Sequence, residues 1–241
     1  MKFSYEYLLY DHDTDVNGIM SVASIMRYAQ QTASLQHVAY GPQIPDLRRQ
    51  GKAFILSRVA LDVLSTPPRS CTPFTVTTWL NHARGYAFNR YTELSCGDAT
   101  FARMSATWGI MDIEARHPLK VEQTPVGFDA DEDILTLNAP LRFRIDREAV
   151  FEKVGTHKVV YGDCDENLHV NNCNYPTLLL SCLNGMVGKR VSQLSVSFMK
   201  EARLNSSFDI LLSRYGGAYI FRTILESGEH GTEARIVTED I

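Results

Sequence analysis

An Asp-x-Asp-x-Asn motif occurs twice in this chain, at Asp13-Thr14-Asp15-Val16-Asn17 and again at Asp163-Cys164-Asp165-Glu166-Asn167, 150 residues later. A repeat at that distance in a chain of 241 residues constrains the fold to two like units, each carrying the loop at the same place. The flanks agree with this reading. A short apolar-aromatic run precedes each loop (Tyr5 to Tyr10, Lys158 to Tyr161), and a helix-like run follows each. The copies differ where it matters for chemistry: the second ends in His169, the first in Ile19. One half keeps a titratable group that the other has lost.

Each half predicts the same order of elements. In the first, a strand near 2–10 leads into the loop. A helix follows from about Ser21 to Tyr40, where Val22, Ile25, Met26, Ala29, Ala33 and Val38 recur near helical spacing, and Gly41-Pro42 stops it. Strands are expected near 53–64, 73–80, 86–96 and 100–113, separated by Pro67-Pro68, Ala83-Arg84-Gly85 and Cys96-Gly97-Asp98. The second half predicts a strand near 154–161 and a helix from Tyr175 to Met186, with Asn174 as its cap and Pro176 in its first turn. Strands near 191–201, 206–215, 218–226 and 232–239 follow. Gly85-Tyr86-Ala87-Phe88 resembles Gly217-Ala218-Tyr219-Ile220-Phe221 at an offset of 133, so the first half carries extra residues, expected around Gly41 to Gly51. The acidic run Asp129 to Asp133, read as solvated surface, and Leu135 to Pro140 mark the junction. The expected organisation is 1–128, a linker over 129–149, and 150–241. One strand, a helix and four strands, given twice, predict an α+β fold in which an antiparallel sheet wraps a helix in each half.

Bulk properties narrow the function. A net charge of −4 argues against a nucleic-acid binder, which needs a dominant basic field. No apolar run approaches a membrane span, and the start MKFSYEYLLYDHD lacks the apolar core of a secretory signal. The five cysteines, odd in number and without a paired framework, favour a reducing cytoplasm.

Several chemistries can be weighed at the loops. Asp13-x-Asp15-x-Asn17-Gly18 opens like a calcium loop, but Ser24 stands where a bidentate glutamate is required. Cys164, His169, Cys173 and Cys182 match no zinc spacing. No metal or other cofactor is expected. Cys164 as a nucleophile lacks any sign of thiol activation. Asp165, Asn167 and His169 alternate along the chain, so a locally extended loop puts all three on one face. There a carboxylate can fix an imidazole tautomer and an amide can orient a carbonyl or water. The first copy reads as a polar turn.

With those residues in place, the chain resembles the acyl-acyl-carrier-protein thioesterases, tandem hotdog proteins of plants and bacteria. Three stretches carry the resemblance: Asp165-Glu166-Asn167-Leu168-His169-Val170-Asn171-Asn172, Leu194 to Glu201, and Ala106-Thr107-Trp108-Gly109-Ile110-Met111. It implies that Asp165, Asn167, His169 and Glu201 are catalytic and that the first hotdog is inactive, in keeping with Ile19. Plant members commonly have cysteine directly after the glutamate. Here that residue is Ala202, so a Cys-His-Asn scheme does not transfer.

The expected reaction is hydrolysis of an acyl thioester by activated water. Glu201 would be the general base, strengthened by an apolar cleft, and His169 would position the water and protonate the leaving thiolate, with Asp165 orienting the ring. Asn167 and backbone N–H groups at the following helix would stabilise the oxyanion. Glu201 and His169 can share the base role. The implied partner is an acidic acyl carrier protein bearing its acyl chain on a phosphopantetheine arm. Lys189, Arg190, Lys200 and Arg203 are candidates to contact it, and Ile25, Met26 and Ala29 to line an acyl tunnel. Coenzyme A thioesters, a non-catalytic acyl-binding role and hydratase-type chemistry remain as alternatives. A homodimer through exposed sheet edges is a further expectation.

Overall fold

The computed structural model describes residues 1–81, 85–121 and 130–241. Ala83 and Arg84 of one expected turn, and Asp129 of the acidic run, lie outside them. The first half contains β1 (Phe3–Leu8), α1 (Val22–Tyr40), α2 (Ile44–Arg49), β2 (Lys52–Val63), β3 (Pro73–Leu80), β4 (Ala87–Cys96), β5 (Ala99–Asp112) and the short β6 (His117–Leu119). The second contains β7 (Glu152–Lys158), α3 (Tyr175–Leu180), β8 (Lys189–Phe198), β9 (Ser207–Tyr215), β10 (Ala218–Leu225) and β11 (His230–Asp240). The fold is α+β, as the pattern predicts.

The eleven strands of the described residues join one antiparallel sheet, in the order β1-β3-β4-β5-β2-β8-β11-β10-β9-β7, with β6 on β5. Read from either edge inward, the two halves have the same topology: β1-β3-β4-β5-β2 matches β7-β9-β10-β11-β8. The equivalent strands β2 and β8 meet at the centre, with Val59 opposite Val196 and Leu61 opposite Leu194. The sequence match between Tyr86-Ala87-Phe88 and Tyr219-Ile220-Phe221 accordingly falls on equivalent strands, at the start of β4 and in β10.

Helix α1 begins where the Ser21 side chain accepts from the Ser24 N–H and ends at Gly41, which adopts φ 72°. It buries Ile25, Met26, Ala29 and Ala33 against the sheet, and one apolar core runs from these residues through Leu61 and Leu194 to Phe221 and Ile236. The extra residues of the first half include α2, where the offset between repeats places them, and the greater length of α1, 19 residues against six in α3.

The second helix is much shorter than expected, stopping at Leu180 instead of Met186. The Ser181 hydroxyl and Cys182 thiol turn back onto the carbonyls of Thr177 and Leu178, and Gly185 follows at φ 79°. Asn174 does not cap it either. The Asn171 side chain takes the Cys173 N–H, and Asn174 donates to the Asp163 carbonyl while accepting from Arg27. Strand β8 ends at Phe198, short of Glu201, because the N–H groups of Met199 and Lys200 both turn to the Gly231 carbonyl. Residues 130–149 form no helix or strand. They are pinned to the sheet where Asp62 accepts from the N–H groups of Asn138 and Ala139 at 2.5 and 2.8 Å. Part of the acidic run is paired as well as solvated, Asp131 with the N-terminal amine and Asp133 with Lys2.

Candidate functional site

The repeated loop is built identically in both halves, and it is a tight turn, not the extended segment expected for 165–169. The N–H of Asp15 donates to Ile19 and that of Gly18 to Asp15; the N–H of Asp165 donates to His169 and that of Leu168 to Asp165. In each copy the second aspartate of the motif takes the asparagine N–H on its side chain, at 2.8 Å for Asp15 and 2.9 Å for Asp165. This geometry needs a left-handed residue before the closing pair. Gly18 supplies it at φ 69° and Leu168 at φ 60°, the latter at a steric cost glycine does not bear. Preceding aspartates tie each loop down. Asp13 accepts from the Tyr28 hydroxyl at 2.6 Å, and Asp163 is bonded to His157 Nε2 at 2.8 Å.

The closing residue separates the copies. Ile19 is buried at 1% exposure. His169 is partly open, with 18% of its side chain exposed, and lies among the expected partners. Its Nδ1 is 3.3 Å from the Val170 carbonyl and 3.8 Å from Asp165 Oδ1, and its Nε2 is 3.9 Å from Glu201 Oε1. Both neighbours of Nδ1 are acceptors, which assigns the proton of a neutral ring to Nδ1 and leaves Nε2 as an acceptor facing Glu201. The separation of Nε2 and Glu201 is too long for a direct hydrogen bond and suits a water bonded to both. Glu201 reaches this position although it lies beyond β8, because the chain after it pairs with the loop: Val170 N–H donates to Ala202 and Leu204 N–H to Leu168. Glu201 is not in an apolar cleft. Its side chain is 52% exposed, and Arg203 stands 3.9 Å from its other oxygen.

Four of the five thiols are held above the ordinary thiol range. Burial pushes the Cys164 thiol up, and the flanking Asp163 and Asp165 push it further. Burial takes Cys173 up to about 12 and raises Cys182 and Cys96. All five cysteines are unpaired, and Ala202, directly after Glu201, is buried. Among the described residues, no group of three or more histidine, cysteine or acidic side chains is placed to hold a metal ion.

The expected carrier contacts divide. Arg203 lies beside Glu201, and Lys200 pairs with Glu229. Lys189 and Arg190 open β8, roughly 30 Å along the strand from its Glu201 end at the usual rise per residue. Arg190 is engaged there by Glu239 and the Val63 carbonyl. Proximity in sequence does not bring these two beside Glu201, because a strand carries its ends apart. Sequence reading missed two cations that the fold brings to the loop from the other half: Arg48 bonds Glu166 and Asn167, and Arg27 bonds Asn174. No local signal marks either.

Between α1 and the sheet of the first half is a water-sized cavity of about 10 Å³, lined by Met26, Ala29, Ala33, Leu56 and Trp108, with Arg90 at its wall. Of the three expected tunnel residues, Met26 and Ala29 line it; Ile25 is fully buried core.

Two units of this topology, their equivalent strands paired at the centre and a histidine loop in one, define a tandem hotdog protein. Solved structures agree over the full length. An acyl-ACP thioesterase from Bacteroides thetaiotaomicron superposes with a TM-score of 0.87 at 17% identity, covering 99% of this chain and 98% of its own. A putative oleoyl thioesterase from Lactobacillus plantarum gives 0.80 at 18% identity over 100% and 97%, and the 12:0-ACP thioesterase of Umbellularia californica 0.78 at 15% over 100% and 98%. No curated protein matches the sequence significantly. The family model for the acyl-ACP thioesterase N-terminal domain matches residues 1–126, more than half of the chain. The chain belongs to the acyl-ACP thioesterase family and is a thioester hydrolase.

Proposed function

We propose that the protein hydrolyses fatty acyl-acyl-carrier-protein to free fatty acid and holo-carrier protein, so ending fatty acid synthesis, and that Asp165, Asn167, His169 and Glu201 carry the reaction. The observation that supports this most directly is His169 Nε2 at 3.9 Å from Glu201, with Asp165 behind the same ring. A water between Nε2 and the Glu201 carboxylate donates a hydrogen bond to each, which turns its lone pair toward a thioester carbon. As the C–O bond forms, the water proton passes to this acceptor pair and the carbonyl oxygen becomes an oxyanion that Asn167 meets with its amide. Collapse breaks the C–S bond, and the protonated imidazole returns the proton to the leaving thiolate. Asp165 steadies the imidazolium in between.

The acyl chain is placed along Met26 and Ala29, where the water-sized cavity would open to admit it, which gives the first half, 1–128, a binding role. The second half, 150–241, carries the chemistry, and 129–149 links them. The five free thiols support a reducing cytoplasm. Among the described residues no helix is long and apolar enough to cross a membrane. Strands β1 and β7 end the sheet, and homodimerisation through them completes the proposal.

The deciding experiment is thiol release from carrier-protein thioesters of graded chain length, set against the matched coenzyme A thioesters. A higher kcat/KM on the carrier-linked series supports the assignment. Preference for the coenzyme A series moves the substrate, and no hydrolysis of either by folded protein makes the site a binding module.

A further inference from the structure

Helix α2 has no counterpart in the second half, yet its Arg48 reaches the site loop of that half. One guanidinium nitrogen lies 2.7 Å from Glu166 Oε2 and another donates to Asn167 Oδ1 at 3.2 Å. An ion pair this open contributes little to stability, since Glu166 is 71% exposed. Its consequence is directional. A primary amide presents an acceptor at one end and two donors at the other, and a free side chain in water samples both orientations. Arginine has donors only, so it selects the orientation with Oδ1 toward α2 and Nδ2 turned away. Glu166 holds the guanidinium in place while it does so.

The first copy of the loop shows the alternative. Asn17 reaches across to the corresponding segment of the other half, between α3 and β8. There its Nδ2 donates to the carbonyls of Met186 and Lys189, and its Oδ1 accepts from the Gly188 N–H. Backbone groups saturate that amide at both ends, so it can only fasten the halves together. The equivalent contact in the second copy is a single arginine on the acceptor end, and it leaves the donor end for a ligand.

We propose that Arg48 is a positioning residue: it holds the Asn167 amide so that Nδ2 faces the oxyanion of the thioester under attack. This rests on the hydrolytic reading above. It also makes the first half a contributor to the chemistry of the second.

The test uses the full-length protein, with Arg48→Met, Asn167→Ala and the double variant assayed on one acyl-carrier-protein thioester. Arg48→Met is expected to lower kcat roughly tenfold or more, approaching the loss of an oxyanion donor, with KM changed by less than about twofold. Arg48→Lys restores part of the rate, and in the Asn167→Ala background Arg48→Met costs nothing further. An equal loss in both backgrounds, or wild-type kcat in Arg48→Met, overturns the proposal. A second readout is independent of turnover: ¹⁵N relaxation of the Asn167 side-chain amide, ordered in the wild type and mobile in Arg48→Met. Unchanged order overturns the positioning role even where hydrolysis is established. Lost order in a protein that hydrolyses no thioester upholds the positioning role and overturns the hydrolytic reading.

Discussion

The two Asp-x-Asp-x-Asn loops share a backbone and differ in what their side chains are free to do. In the first, every group is consumed by structure: Asp13 takes the Tyr28 hydroxyl, Asn17 is bonded at both ends and Ile19 is sealed in the interior. In the second, His169, Asn167 and Glu201 keep polar atoms directed at solvent or at one another. The turn is therefore a scaffold. Which side chains can act depends on what the surroundings leave unsatisfied, and Ile19, standing where the second copy has His169, adds packing to the first.

The largest effect expected from this contrast is catalytic. His169→Ala and Glu201→Gln should each lower kcat by about 10²–10⁴, the range of a positioned acid–base group, with the unfolding midpoint nearly unchanged. Steady-state rates on a carrier-linked thioester with a thermal melt of each variant check this. Near-normal rates in both would remove the chemistry from this loop. The mirror-image substitution, Ile19→Ala, should do the reverse. It empties a fully buried site at a cost of about 2–5 kcal/mol, read as a lower urea midpoint, while kcat on the folded fraction is retained.

Much of this division was legible in the sequence. The repeat, the order of elements and the exchange of His169 for Ile19 are local patterns that burial and alternation impose, and they gave both halves and Asp165, Asn167 and His169, while Glu201 came from the family resemblance. Three features were not local. Leu168 takes the left-handed turn position that Gly18 advertises, so the second loop read as extended. The early end of α3 depends on side chains turning back onto carbonyls at Ser181 and Cys182, which an apolar periodicity does not register. Arg48 lies 119 residues from Asn167, and only the pairing of β2 with β8 brings them together. The same distance hid the fate of Lys189, whose carbonyl serves Asn17 while its strand carries it away from Glu201. The family model meets the first half, so the proposed residues of the reaction rest on geometry in the second.

The asparagines sharpen the comparison at a smaller scale. Asn17→Ala removes three hydrogen bonds between the halves and leaves two carbonyls and an N–H to find water. A loss of about 1–3 kcal/mol in stability is expected, with kcat retained. Asn167→Ala should lower kcat and leave the melt alone. Matching stability losses in the two variants would mean that both amides are fasteners, and the asymmetry between the loops would disappear.

The smallest expected effect concerns Asp15, and its sign is what tests the idea. Burial raises this carboxyl above its ordinary range, against the opposing N–H bonds from Asn17 and Ile19. A carboxyl raised on folding binds its proton more tightly in the native state. Its contribution to stability is therefore fully present below the ordinary carboxylate range and is lost as pH rises through the raised value. Asp15→Asn keeps an acceptor for the Asn17 N–H and removes the charge. The variant should melt at the same temperature as the parent in acid and above it at neutral pH, with the gap opening as the parent's carboxyl ionises. A variant that melts lower at neutral pH would show that the charge on Asp15 holds the turn together. In that case the first loop still keeps a working carboxylate, and what separates it from the second narrows to Ile19 and the bonds of Asn17.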